Sequence, residues 1–175
     1  KLAQENDLSE EQKAQLSRRA GKLALMLKAP KRMARISEDI VEHFNSHVKP
    51  KKLKAMVVVY DREACVQMYY LLKEKLGKES IEVIMNVDRA PIEVTEGDKK
   101  GKLNKDWRRW KEEHKLPVEK DDFERWQKID ADSQAQKDIL EGYRDSENPL
   151  QIIIVTAKLL TGFDAPICYC MYLDK

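Results

Sequence analysis

Thr156, Gly162 and Asp164 stand within nine residues of one another, in Thr156-Ala157-Lys158-Leu159-Leu160-Thr161-Gly162-Phe163-Asp164-Ala165-Pro166. Each residue type has its own chemical use. A hydroxyl at a strand tip can donate to a phosphate oxygen without reading any base. Glycine tolerates a positive φ and lets a ligand or a second lobe approach the backbone closely. A carboxylate two residues further on can accept hydrogen bonds from ribose hydroxyls. The same three residues also describe an ordinary turn capped by Thr156, and spacing does not choose between the two readings.

Other chemistry is thin. Gly97-Asp98-Lys99-Lys100-Gly101-Lys102-Leu103 imitates a phosphate loop, but it has one residue too few between its glycines and a leucine where Ser or Thr should ligate magnesium. It reads as a charged turn. His43 and His47 have the i, i+4 spacing of metal ligands on a helix, with no glutamate after His43 and no evident third ligand. No serine or cysteine stands in a nucleophile elbow. Lys99 to Lys111 holds seven basic residues against one acidic, with Trp107 and Trp110 between them. Lys99, Lys100, Arg108 and Arg109 are therefore candidate phosphate contacts, since clustered cations release counterions on meeting nucleic acid and tryptophan stacks on unpaired bases. Two tryptophans three apart also make a packing face on a helix, and a charge run is commonly a solvated surface.

These residues need a scaffold, and the pattern is that of an α/β chain. Ile152-Ile153-Ile154-Val155 is a β-branched run too short for a buried helix, so it reads as a strand covered on both faces, with Thr156 to Asp164 leaving its carboxyl edge. Ala55 to Tyr60 is a first strand of the same kind, and Ile81 to Met85 a second. Between them Asp61 stands at an N-cap position and Gly77 closes the helix. Such a crossover implies a parallel sheet. Ile167 to Leu173 makes a fourth strand. Upstream, Ser9-Glu10-Glu11-Gln12 has the form of a capping box, followed by Leu16, Ala20, Leu23, Ala24 and Leu27 until Pro30 stops the run. A second helix from about Lys31 turns Ile36, Ile40, Val41, Phe44 and Val48 to one side. Residues 1–50 are thus expected to form a helical segment connecting to something upstream, and 51–175 the α/β unit. About 87–131 should be a charged insertion with its own short helices, because so long a stretch is too much for a plain loop. A further helix from Gln134 to Tyr143 leads into the organising strand.

The chain's 175 residues suit one domain, and its 33 basic and 31 acidic side chains are near balance, so global charge announces no polyanion partner. Three cysteines make neither a disulfide framework nor a four-ligand zinc site. No apolar run reaches the roughly 20 residues of a membrane span, and the reading is of a cytoplasmic protein.

From about Arg35 onward the chain resembles the second RecA-like (P-loop NTPase-like) lobe of superfamily 2 helicases, and specifically the motor (restriction) subunit of type I restriction-modification enzymes. Leu159-Leu160-Thr161-Gly162-Phe163-Asp164-Ala165-Pro166, with Met171-Tyr172-Leu173-Asp174-Lys175, is similar to that family's motif V and following strand. Lys54 to Val59 with Arg62-Glu63-Ala64-Cys65 resembles motif IV, and Ile40-Val41-Glu42-His43-Phe44 is also similar to that subunit. The resemblance implies an ATP-driven double-stranded DNA translocase and endonuclease. Gly162 and Asp164 would face the nucleotide; Thr156 and the Asp61-Arg62 helix start would face a DNA backbone, helix amino termini being ready anion sites. It implies ATP and magnesium as cofactors, with the metal ligands in a first RecA-like lobe. The expected partners are double-stranded DNA, that first lobe, a nuclease domain, and modification and specificity subunits. The arginine-rich motif VI and the nuclease carboxylates do not occur in the sequence, so these residues alone are expected to be inactive. Two alternatives stand beside this: the second lobe of another superfamily 2 helicase, or a non-catalytic α/β binding module.

Overall fold

β-branched runs with no polar interruption favour strands packed on both faces, and they set the centre of this molecule. The computed structural model describes residues 9–87, 107–112, 116–156, 159 and 164–174. The elements are α1 (Glu10–Leu27), α2 (Pro30–His43), a π turn (Phe44–Val48), β1 (Lys54–Val59), α3 (Arg62–Leu76), β2 (Ile81–Ile84), a helical stretch at 107–112, α4 (Lys120–Ala131), α5 (Ser133–Arg144), β3 (Ile152–Val155) and β4 (Cys168–Asp174). The strands form a parallel sheet in the order β2-β3-β1-β4, so the β1–β2 and β3–β4 crossovers each skip one strand while β2–β3 joins neighbours. This is the expected α/β architecture.

β3 lies between β2 and β1, with Ile153 level with Met56 on one side and Glu82 on the other. All four of its residues are fully buried. Burying one such side chain is worth about 1.5–3 kcal/mol, which makes β3 the apolar keel of the sheet. β4 is an edge, and its exposure alternates: Tyr169, Met171 and Leu173 face outward while Cys168, Cys170 and Tyr172 pack against the core.

Side-chain caps start α1, α3 and α5. Ser9 and Gln12 form the expected capping box. Asp61 Oδ1 accepts from Ala64 N at 2.9 Å, capping α3. Gly77 ends α3 at φ +88°, a conformation costly for any residue with a Cβ. Pro30 does more than stop α1: it opens α2 at the first helical position, where its missing N–H costs nothing. α2 and the π turn contribute Met33, Ile40, Phe44 and Val48 to the same core as the sheet. α1 contributes none, and Leu16 and Leu23 are more than half exposed.

α4 shares the core as well, through Phe123, Trp126 and Ile129. It is fastened by a buried ion cluster. Asp122, wholly inaccessible to solvent, accepts from the hydroxyls of Tyr69 and Tyr70 at 3.1 Å each, from Lys73 Nζ at 3.0 Å and from Arg125 Nη1 at 2.9 Å. Arg125 Nε donates onward to Glu82 on β2 at 2.8 Å. Burial alone would raise the Asp122 pKa, but the hydrogen bonds and charges of Lys73 and Arg125 outweigh it and hold the carboxyl below the ordinary aspartate range. Glu82 goes the other way, its burial winning over Arg125.

Asp122→Asn should cost about 3 kcal/mol of unfolding free energy in a urea titration, because it strands Lys73 and Arg125 beside a neutral amide. The wild-type carboxyl titrates lower folded than unfolded. Its contribution is therefore complete above the ordinary aspartate range and fades as pH falls from there through the depressed folded value. The stability gap between wild type and Asp122→Asn should narrow in that window, and a gap independent of pH would refute the charge assignment.

Candidate functional site

Because every strand runs the same way, the sheet has one carboxyl rim and one amino end. The rim holds Thr156, half-buried and following β3, together with the Asp61-Arg62 start of α3 following β1. Asp61 and Thr156 therefore leave adjacent strands on the same side. The start of α3 is already rich in carboxylate. Asp61 caps it, Glu63 lies in its first turn, and Lys28 pairs with both, at 2.9 Å to Asp61 Oδ2. Desolvation opposes the Lys28 charge, and its hydrogen bonds to Glu63 and Asp61 more than restore it, leaving its pKa raised. Nearby, Arg32 grips both oxygens of Asp174 at the end of β4 and donates to Leu27 O at 2.8 Å. The root of α1 and α2 is thus tied by charge to the rim, with Lys28 countering the Asp61 and Glu63 carboxylates.

Asp164 is elsewhere. The sequence reading set it on the carboxyl edge with Thr156, and the strand pairing overturns that. β4 is parallel to β1, and Asp164 precedes β4; Lys54 N, at the start of β1, donates to Ile167 O at 2.9 Å, and Cys168 N to Ala165 O at 2.8 Å. Asp164 consequently sits at the amino end, with its side chain exposed. β1 has 6 residues, so the two ends lie roughly 20 Å apart at about 3.3 Å per residue. Gly162 lies outside the described residues, as do Lys99 and Lys100.

The amino end is organised by a residue the sequence reading passed over. Lys54 is buried at the start of β1, and its ammonium donates to three carbonyls at the end of α5: Gly142 O (3.3 Å), Asp145 O (2.5 Å) and Asn148 O (3.3 Å). Burial lowers its pKa, against the attraction of Asp145. Tyr143 Oη donates to Ala55 O at 2.8 Å, pinning the same helix end to β1. A Cβ on Gly142 would stand 2.8 Å from Asn148 Nδ2, so this position excludes a larger residue without a shift. From the last turn of α5, Arg144 Nε donates to the backbone oxygen of Asp164 at 3.0 Å. One signal was available in advance. A lysine opening an otherwise apolar buried strand must find acceptors or lose its charge.

The basic stretch divides. Trp110 is buried against Phe123, with ring centroids 5.9 Å apart, and Trp107 Nε1 donates to Val118 O at 2.9 Å. Those tryptophans pack, as one of the two sequence readings had it. Arg108 and Arg109 remain on the exposed side of 107–112, and Lys111 Nζ lies 5.2 Å from the Trp107 ring centre. Among the described residues, no three His, Cys, Asp or Glu assemble as a metal cage.

Comparison with known proteins settles the family. The profile described as type I restriction enzyme subunit R domain 3 matches residues 51–175. The chain belongs to the type I restriction enzyme R subunits. It is 35% identical over 155 residues to the MjaVIIP endonuclease subunit ascribed to a type I restriction enzyme of Methanocaldococcus jannaschii, covering 83% of this chain and 12% of that protein. To the type I restriction enzyme HindI endonuclease subunit of Haemophilus influenzae it is 27% identical over 158 residues, 86% of this chain and 12% of the relative. The MjaVIIIP subunit of M. jannaschii gives 31% over 163 residues, 88% and 14%. The chain therefore spans about an eighth of the length of these relatives.

Within this R-subunit domain the packing role of Trp110 is separable from the charge around it. Trp110→Ala should cost about 3–5 kcal/mol of stability, whereas Arg108→Glu should stay within about 0.5 kcal/mol. Equal losses in thermal unfolding would mean that Arg108, too, is part of the fold's support.

Proposed function

We propose that this domain is the second RecA-like lobe of an ATP-driven DNA translocase within a type I restriction endonuclease, supplying half of a nucleotide crevice and part of a DNA track. The lobe works with a first RecA-like lobe and a nuclease domain, in a complex with modification and specificity subunits. At the amino end, the exposed Asp164 carboxylate accepts from the ribose hydroxyls of ATP; Gly162, by the motif resemblance, also faces the nucleotide. At the carboxyl rim, Thr156 and the Asp61-Arg62 helix start meet the phosphate backbone of duplex DNA. Lys99, Lys100, Arg108 and Arg109 add sequence-independent attraction to it.

What supports the reading is the separation of the two ends. Thr156 and Asp164 are eight positions apart in sequence, yet the parallel β1–β4 ladder puts a strand length between them. A motor needs that arrangement: nucleotide and track touch one rigid sheet at different places, so closure on ATP displaces the DNA contacts. ATP bound with magnesium supplies the free energy of each step. In this reading the magnesium ligands belong to the first lobe, and this lobe's own contribution is binding and orienting.

Steady-state ATPase and DNA binding in the complete R subunit test the assignment. Asp164→Ala should raise the KM for ATP about tenfold, the loss of a charge-assisted hydrogen bond, with DNA affinity unchanged. Thr156→Val should weaken duplex binding without moving that KM. If either substitution shifts both quantities together, or neither shifts anything, the two-ended site is wrong. Reversing Arg108 and Arg109 to glutamate should reduce the slope of log K against log salt by up to about 2, one per lost phosphate contact. An unaltered slope would remove them from the track.

A further inference from the structure

We infer that Arg144 is a positioning residue for the nucleotide contact: it holds the Asp164 backbone in place from a helix end that the buried Lys54 makes rigid. The inference rests on the proposed role of Asp164 and extends it to residues outside the motif that carries it.

Asp164 is exposed and belongs to no strand or helix, so its own backbone has no ladder to fix it. An exposed carboxylate on an untethered segment would have to be ordered when ligand binds, which weakens binding by the entropy lost. Arg144 removes that freedom. Its Nε donates to the carbonyl of Asp164 itself, at 3.0 Å, which fixes the peptide plane two bonds from the Cβ carrying the carboxylate.

A tether is only as good as its mount. Arg144 is the last residue of α5, and the turn beyond it is bonded throughout. Asp145 N donates to Gly142 O at 3.2 Å, Asn148 N to Asp145 O at 3.2 Å, Glu147 N to Asp145 Oδ1 at 3.0 Å, and Gln151 N to Ser80 O at 2.9 Å. Lys54 sits within this knot and uses its ammonium on the three carbonyls around it. Two of the three, Gly142 O and Asp145 O, also accept from backbone N–H groups of the turn, so the ammonium adds to bonds already there. Helix α5 thus ends as a block joined to β1, and Arg144 extends from that block across to Asp164. The bond joins the turn before β3 to the turn before β4, two segments that are not sheet neighbours, since β1 lies between them.

The experiment is a double-mutant cycle in the complete R subunit, read by ATPase at saturating duplex DNA, with thermal unfolding alongside. Arg144→Ala should raise the KM for ATP about tenfold, the loss of one hydrogen bond from a charged donor, while kcat changes less than about twofold and the melting temperature stays within the range of a surface substitution. Arg144→Lys should recover part of the KM. Asp164→Ala should raise KM comparably, and the double variant should be no worse than Asp164→Ala alone, because the two residues act through one contact. A KM that rises with Asp164→Ala but not with Arg144→Ala overturns the positioning role and leaves the nucleotide reading standing. Additive effects overturn it too, since Arg144 would then act elsewhere. No effect of Asp164→Ala would bring down the nucleotide reading and this inference together. Should Arg144→Ala fail to fold, the same cycle with Arg144→Gln, which keeps the side-chain length near that of the original stem and one donor group, decides between the same outcomes.

Discussion

Parallel pairing of β1 with β4 governs where chemistry can happen in this domain. The ladder begins at the Lys54 N to Ile167 O bond and runs from Ala55 opposite Cys170 to Val59 opposite Asp174. In an antiparallel pair, the segment before β4 would lie beside the segment after β1, and Asp164 would join Asp61 and Thr156 in one cluster. Parallel strands instead require the chain to return along the sheet between β3 and β4, a crossover of about a dozen residues or more. That return separates Thr156, after β3, from Asp164, before β4.

Two buried ion systems fasten helices to the sheet, and they work differently. Around Asp122, opposite charges and tyrosine hydroxyls converge on a carboxylate with no solvent access, and Arg125 continues the chain of contacts to Glu82. At Lys54 the ammonium is held instead by three carbonyl oxygens, those of Gly142, Asp145 and Asn148. Taking a charge out of water is costly, and only several good hydrogen bonds offset it. Such groups do little for net stability when satisfied and a great deal of harm when displaced. They therefore define one docking position for α4 against α3 and β2, and one for the end of α5 against β1.

Much of the framework was legible in advance. The runs at Ile152–Val155 and Ala55–Val59 announce buried strands by β-branching alone, and Ser9, Asp61 and Gly77 mark helix ends through local hydrogen bonding and backbone conformation. Other features needed long-range partners. Asp122 looks like a surface carboxylate in Glu119-Lys120-Asp121-Asp122, and nothing nearby in sequence hints that Tyr69, Tyr70 and Lys73 close over it. Lys54 and Arg144 are 90 positions apart, and Arg144 and Asp164 another 20. Trp107 and Trp110 could be read as a stacking platform or as a packing face until Val118 and Phe123 were found beneath them.

By itself the sequence determined the class of the domain, its family and most of its strand and helix ends, because side-chain branching, caps and motif residues act within a few positions of where they stand. Only the tertiary structure decided that Asp164 and Thr156 lie at opposite ends of the sheet, and that a buried lysine and an arginine on a distant helix support one of them. Strand direction and burial are properties of pairs of segments, and a pair is not written at any single position in the chain.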